Sequence, residues 1–236
     1  MTFNYQSFTA ASTLIHIIQG VALLALGAAE ACAVDNQVKK LAFAGPLCLL
    51  AAAAAIPLVI LALLGGWSVE QARAALAERS GFYLFISSAC LFGAAALSRI
   101  TQVSKGAEKG GWYALFLFFL AAAAGLYFIL PSRVNEDVWR VVFIWHAAIG
   151  STLLLAVAFK VAYSFFGRRV LQTCWAVMLM ITALQLVTYR ENDKAFSPHI
   201  VAFDVAPRLP GGAVAPAVKA AHPKHAGTAD KKRAHN

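Results

Sequence analysis

Two histidines lie inside long apolar stretches of this chain: His16 in "IHIIQGVALLALGAAE", residues 15–30, and His146 in "WHAAIGSTLLLAVAFK", residues 145–160. Laid on each other without a gap, the stretches share His-x3-Gly, nine apolar or small residues, and then an ionisable one. His16, Gly20 and Glu30 thus stand against His146, Gly150 and Lys160. An ionisable side chain within a membrane-length segment is a functional candidate by default. Residues four apart share one helix face, so each glycine is expected to clear the side chain beside its histidine and leave room for a flat macrocycle. Small residues that merely let helices approach would account for the glycines but leave the histidines unexplained. Two neutral imidazoles aimed at one space suit axial ligation of a single protohaem iron, with His16 and His146 as the metal ligands and Gly20 and Gly150 beside the ring. Six-coordination would favour electron transfer over catalysis. Arg140, with Arg133 near it, is the expected partner for the propionates.

The depth of the two histidines fits that chemistry. Each lies eight residues past the start of its apolar run, Phe8 or Val138, which is about 12 Å along a helix. Glu30 and Lys160 each follow their histidine by 14 residues, close to four helical turns. Imidazoles that face each other therefore bring this carboxylate and ammonium roughly opposite one another at the far membrane edge. An ion pair there competes with Lys160 snorkelling to the surface and Glu30 marking a helix end.

The elements that must position these groups are membrane helices. Of 236 residues, 60% are hydrophobic and 13% charged, and the mean hydropathy is +0.68, well outside the balance of a soluble domain. A bilayer core of roughly 30 Å takes about 20 apolar residues as a helix. Six stretches qualify: Phe8 to Val34, Leu41 to Leu64, Gly81 to Ser98, Trp112 to Leu130, Val138 to Phe166 and Val170 to Tyr189. Their runs are continuous, without the alternation of barrel strands. The expected fold is an all-α polytopic membrane bundle of six transmembrane helices. It occupies residues 1–190, with a short post-membrane segment at 191–205 and a disordered basic tail at 206–236. The first apolar run exceeds a signal-peptide core and carries no preceding basic residue, so it reads as a retained span. SVEQARAALAERS, opening with Ser68, reads as a short interfacial helix between the second and third spans.

Six spans put both termini on one face. Lys39, Lys40, Arg99, Lys105, Lys109, Lys160, Arg168 and Arg169 lie at the other face, against Arg73, Arg79, Arg133 and Arg140 in the loops on the terminal face. The basic excess marks the face away from the termini as cytoplasmic. The tail is rich in Ala, Pro, Gly and Lys and lacks apolar periodicity, so it buries no core. It suits contact with anionic lipid or simple solubilisation, and its His222, His225 and His235 have no metal-ligand spacing. Cys32, Cys48, Cys90 and Cys174 form no CxxC or CxxCH motif, which points to buried, inert thiols.

His146, Gly150 and Lys160, followed after Arg168 and Arg169 by another apolar span, resemble the haem-ligating hairpin of small bacterial membrane b-type cytochromes. The likeness covers roughly residues 138–190, with a weaker echo in the first span. It implies a multi-pass protein of the bacterial inner membrane that carries haem b and exchanges electrons with quinol, a neighbouring cytochrome or another redox subunit. Membrane lipid is the other expected contact, and no nucleic acid is. The commonest two-haem plan needs four intramembrane histidines; two here imply one haem. Tyr189, Gln185 and Trp139 are ordinary interface residues near which quinol could dock, and no quinone site is assigned. Two other classes stay open: a haem-free scaffold or assembly subunit whose histidines act as polar glue, and a small transporter using Glu30 and Lys160. The latter lacks a polar stripe and a broken-helix pair, with Pro46 and Pro57 both in the second span. No nucleophile–base pair, phosphate loop or intramembrane carboxylate pair suggests an enzyme.

Overall fold

A computed structural model describes residues 5–32, 39–106, 110–129, 136–192 and 195–196. The tail at 206–236 with its three histidines, and the loop residues Lys109 and Arg133, lie outside them. Among the described residues seven α-helices follow one another: α1 (Tyr5–Cys32), α2 (Lys39–Leu63), α3 (Val69–Glu78), α4 (Tyr83–Ser104), α5 (Gly111–Ile129), α6 (Glu136–Phe166) and α7 (Arg169–Thr188). Six are long and apolar enough to cross a bilayer, with α3 the exception. The protein is a multi-pass membrane helix bundle. Ser68 caps α3, its hydroxyl accepting the Gln71 N–H at 3.3 Å, and Ala72, Ala75 and Leu76 form the buried face of this short amphipathic helix.

Each span packs on the next, and α7 returns to α1, closing a ring in the order α1, α2, α4, α5, α6, α7. The middle of the bundle is apolar: Leu23, Leu26, Phe92, Leu120, Leu153 and Leu179 are fully buried there. Most buried polar side chains gather toward the two ends, while in the middle Thr182 donates to Thr152 at 3.0 Å, and Thr152 to Gln185 at 2.8 Å, linking α6 to α7. A second apolar cluster, with Phe8, Ile15, Leu76, Phe82 and Phe85, closes the terminal end. Ala195 and Phe196 belong to it.

Gly20 and Gly150 do not open space beside the histidines. A Cβ on Gly20 would lie 2.7 Å from Val187 Cγ2 and 2.8 Å from the Ala183 carbonyl, and one on Gly150 would lie 2.7 Å from Phe128 Cε2 and 2.9 Å from the Ala124 carbonyl. Gly27, seven residues after Gly20, meets α7 in the same way at Met180 and Ala176. These are small-residue seams that bring helix backbones close. Gly20→Ala is therefore expected to cost about 1–3 kcal/mol, because a backbone carbonyl blocks the added methyl. Gly125→Ala, with nothing within 4 Å of its added Cβ, should instead gain up to about 1 kcal/mol of helix propensity. Unfolding both variants in the same detergent checks the opposite signs.

The cysteines also depart from expectation. Cys32 and Cys90 are exposed and Cys48 and Cys174 half-buried, all four as free thiols. The outer faces of helices in a membrane bundle are as apolar as the interior, so hydrophobicity alone does not mark which side a thiol takes.

Candidate functional site

Ser12, His16 and Gln19 recur at spacings of four and three along α1, which places them on one inward face, and all three are buried. His16 meets His146 across the interior, although α1 and α6 are not neighbours in the ring. The ring centroids are 5.4 Å apart and the planes nearly perpendicular, at 76°. Tyr189 completes a triangle, 4.7 Å from His16 and 5.0 Å from His146. Phe85 lies edge-on to His16 at 5.4 Å.

The hydrogen bonds fix the imidazole tautomers. His16 Nδ1 lies 2.7 Å from the Ser12 carbonyl oxygen, and His146 Nδ1 lies 2.8 Å from that of Val142. A carbonyl can only accept, so each Nδ1 carries the proton and each Nε2 keeps its lone pair. His16 Nε2 is buried without a hydrogen-bond partner. A hydrogen bond from the other ring nitrogen that orients the imidazole and fixes its tautomer is the usual preparation of a histidine for metal ligation. The chemistry of the donor atoms thus suits an iron held by two imidazoles. The rings themselves are in edge-to-face contact, 5.4 Å between centroids, so a macrocycle fits only if the imidazoles part and Tyr189, on the third side of the triangle, gives way. Among the described residues no group of three or more His, Cys, Asp or Glu side chains could hold a metal ion.

Glu191 stands behind this triangle. It accepts from the Ser12 hydroxyl at 2.6 Å and from the Tyr189 hydroxyl at 2.9 Å. A cavity of about 330 Å³ borders Tyr189, Glu191 and Trp145 on the outer side. Arg140 is exposed near the start of α6, outside this cluster. The half-buried guanidinium at this end is that of Arg79, which donates to the Phe196 carbonyl at 2.6 Å and lies over Tyr5 at 5.4 Å. Of the other interface residues, Gln185 accepts from Thr152 at 2.8 Å and Trp139 stacks on Phe143 at 5.2 Å. One turn below the histidines, Gln19 donates to Ser88 at 2.8 Å and accepts from Tyr127 at 3.0 Å, tying α1 to α4 and α5.

At the opposite end Glu30 and Lys160 form the ion pair their spacing allows: Lys160 Nζ donates to Glu30 Oε2 at 2.6 Å, and both are buried. Arg99 reaches the other carboxylate oxygen at 2.8 Å. Gln172 donates to Glu30 at 2.9 Å and the Trp175 indole at 3.2 Å, while the Gln172 amide oxygen accepts from Lys160 at 2.8 Å. Glu30 is therefore a hub for α4, α6 and α7. Counting loop charges leaves Arg99 at the surface, since the third apolar run ends at Ser98; α4 in fact continues to Ser104 and turns Arg99 inward.

The chain matches no protein-family model, and comparison with curated proteins and with solved structures returns no significant match.

Proposed function

We propose that the chain is a membrane electron-transfer protein, a b-type cytochrome subunit that holds one haem b between His16 and His146 near the terminal face. It would exchange electrons with quinol or a neighbouring cytochrome. The observation that carries this reading is the pair of buried imidazoles, each with Nδ1 committed to its own helix and Nε2 left as a lone-pair donor. When bound, haem supplies one-electron chemistry at iron. The protein's part is to orient the two rings through the Ser12 and Val142 carbonyls, to exclude water with Phe85 and the cluster above it, and to leave no open coordination position. Non-catalytic transfer within a larger redox complex follows from that. The loop charges support both termini lying outward, and the resemblance to small bacterial b-type cytochromes supports a bacterial inner membrane.

A second reading, a haem-free scaffold subunit, is favoured by a specific observation: Tyr189 closes the ring triangle, and α7 and α5 fill the sides of Gly20 and Gly150. Visible spectra of the purified protein, oxidised and dithionite-reduced, separate the two. Sharp reduced α and Soret bands are expected in the wild type, and they should be lost or turned high-spin in both His16→Ala and His146→Ala. A wild type still colourless after haem is supplied would overturn the electron-transfer reading and leave the histidines as structural contacts.

A further inference from the structure

The Glu30 cluster carries an excess of positive charge. Two cations, Arg99 and Lys160, share one carboxylate, so the group as a whole is +1 while its side chains are largely withdrawn from solvent. A buried charge without a counter-charge is costly in a poor solvent. Arg99 also has donors to spare. Its guanidinium presents five N–H groups; one nitrogen donates to Gln102 at 2.7 Å and another to Glu30 at 2.8 Å, while Nε is buried with no partner.

Beside these cations lies a cavity of about 500 Å³, lined by Arg99, Lys160, Gln102, Tyr113, Ser164 and the α6–α7 turn. Its size falls within the range of small-molecule sites. The Ser164 and Tyr113 hydroxyls lie 2.9 Å apart, one donating to the other, and both stand within reach of the Lys160 carbonyl, at 3.1 Å and 3.3 Å, which places two hydroxyl groups on the cavity wall. The rim is that of a membrane interface: Phe165 and Phe166 are 80% and 70% exposed, and Arg168 and Arg169 follow them, both exposed. Aromatic and basic side chains at this level favour anionic headgroups.

We propose that this cavity is a binding site for a phosphate oxyanion that completes the charge balance of the Arg99–Glu30–Lys160 cluster, with an anionic lipid headgroup as its source. Arg99 is the principal ligand, and of the linked Ser164 and Tyr113 hydroxyls the one that donates to the Lys160 carbonyl can turn its proton to the oxyanion instead. The site is independent of the histidine pair and of any cofactor there.

The test is the thermal unfolding midpoint of the full chain in neutral detergent micelles. Phosphatidylglycerol is titrated against phosphatidylcholine and, separately, inorganic phosphate against chloride at matched ionic strength. A saturable rise in Tm with phosphatidylglycerol is expected in the wild type. Arg99→Gln, which leaves a neutral Glu30–Lys160 pair, should weaken the apparent Kd at least tenfold. Ser164→Asp places a carboxylate in the cavity itself and should respond to neither titrant; it keeps the test decisive if Arg99→Gln fails to fold. A response to inorganic phosphate as strong as to the lipid would support the oxyanion site with a soluble source. No response to either titrant, or an undiminished response in Arg99→Gln or Ser164→Asp, would overturn the proposal.

Discussion

Glu30→Gln is expected to destabilise the bundle by roughly 3–5 kcal/mol, the scale of removing one partner from a buried ion pair. The substitution is nearly isosteric and its amide oxygen can still accept, so the loss is one of charge. Four side chains converge on this carboxylate, from Arg99, Lys160, Gln172 and Trp175. Without it two buried cations face each other, and the cluster goes from a net +1 to +2. Lys160→Met acts in the opposite direction, leaving a balanced Arg99–Glu30 pair and one amide oxygen of Gln172 without its donor. Its cost should be that of an unsatisfied acceptor, about 1–3 kcal/mol. Denaturant or thermal unfolding of both variants in one detergent gives the order. If Glu30→Gln were no worse than Lys160→Met, charge balance would not govern this end of the bundle.

Much of this arrangement is legible in the sequence because helix geometry relates residues within a span. The six apolar runs, the capping Ser68, the common depth of His16 and His146, and the 14-residue step to Glu30 and Lys160 all follow from rise and turn alone. So would the inward face of α1, had Ser12, His16 and Gln19 been taken together, since three polar residues at helical spacing in an apolar span mark one side. Ring order is a different kind of information. Nothing in the period of α1 says that α7 is its neighbour, and this neighbour decides that Gly20 packs on Ala183 and Val187 instead of clearing a space. For the same reason Tyr189 and Glu191 could not be placed against the histidines: Tyr189 ends the last apolar run and Glu191 follows it, and only the closure of α7 onto α1 brings them to Ser12 and His16. Arg99 escaped because helices continue past their apolar runs, and a long basic side chain at such an end can turn inward when a carboxylate waits there.

Tyr189 is the residue at which the two functional readings predict opposite results. Its ring stands 4.7 Å and 5.0 Å from the two imidazoles, and its hydroxyl is held by Glu191 at 2.9 Å. In a haem-binding bundle this ring must leave the triangle for the macrocycle to enter, so Tyr189→Ala should keep or raise the haem stoichiometry toward one per chain. Tyr189→Trp should lower it several-fold, because a larger ring overfills the same corner. In a haem-free bundle Tyr189 is a packed core residue. Its truncation would leave a cavity between two histidines and cost about 3–5 kcal/mol, as large aromatic-to-alanine changes do, while neither variant takes up colour. Haem per chain by pyridine haemochrome, measured beside Tm for wild type and both variants, reads the two effects separately. Stoichiometry that rises in Tyr189→Ala and falls in Tyr189→Trp would identify Tyr189 as the side chain guarding the iron site. A loss of stability without any change in bound haem would make it a structural keystone of the terminal end.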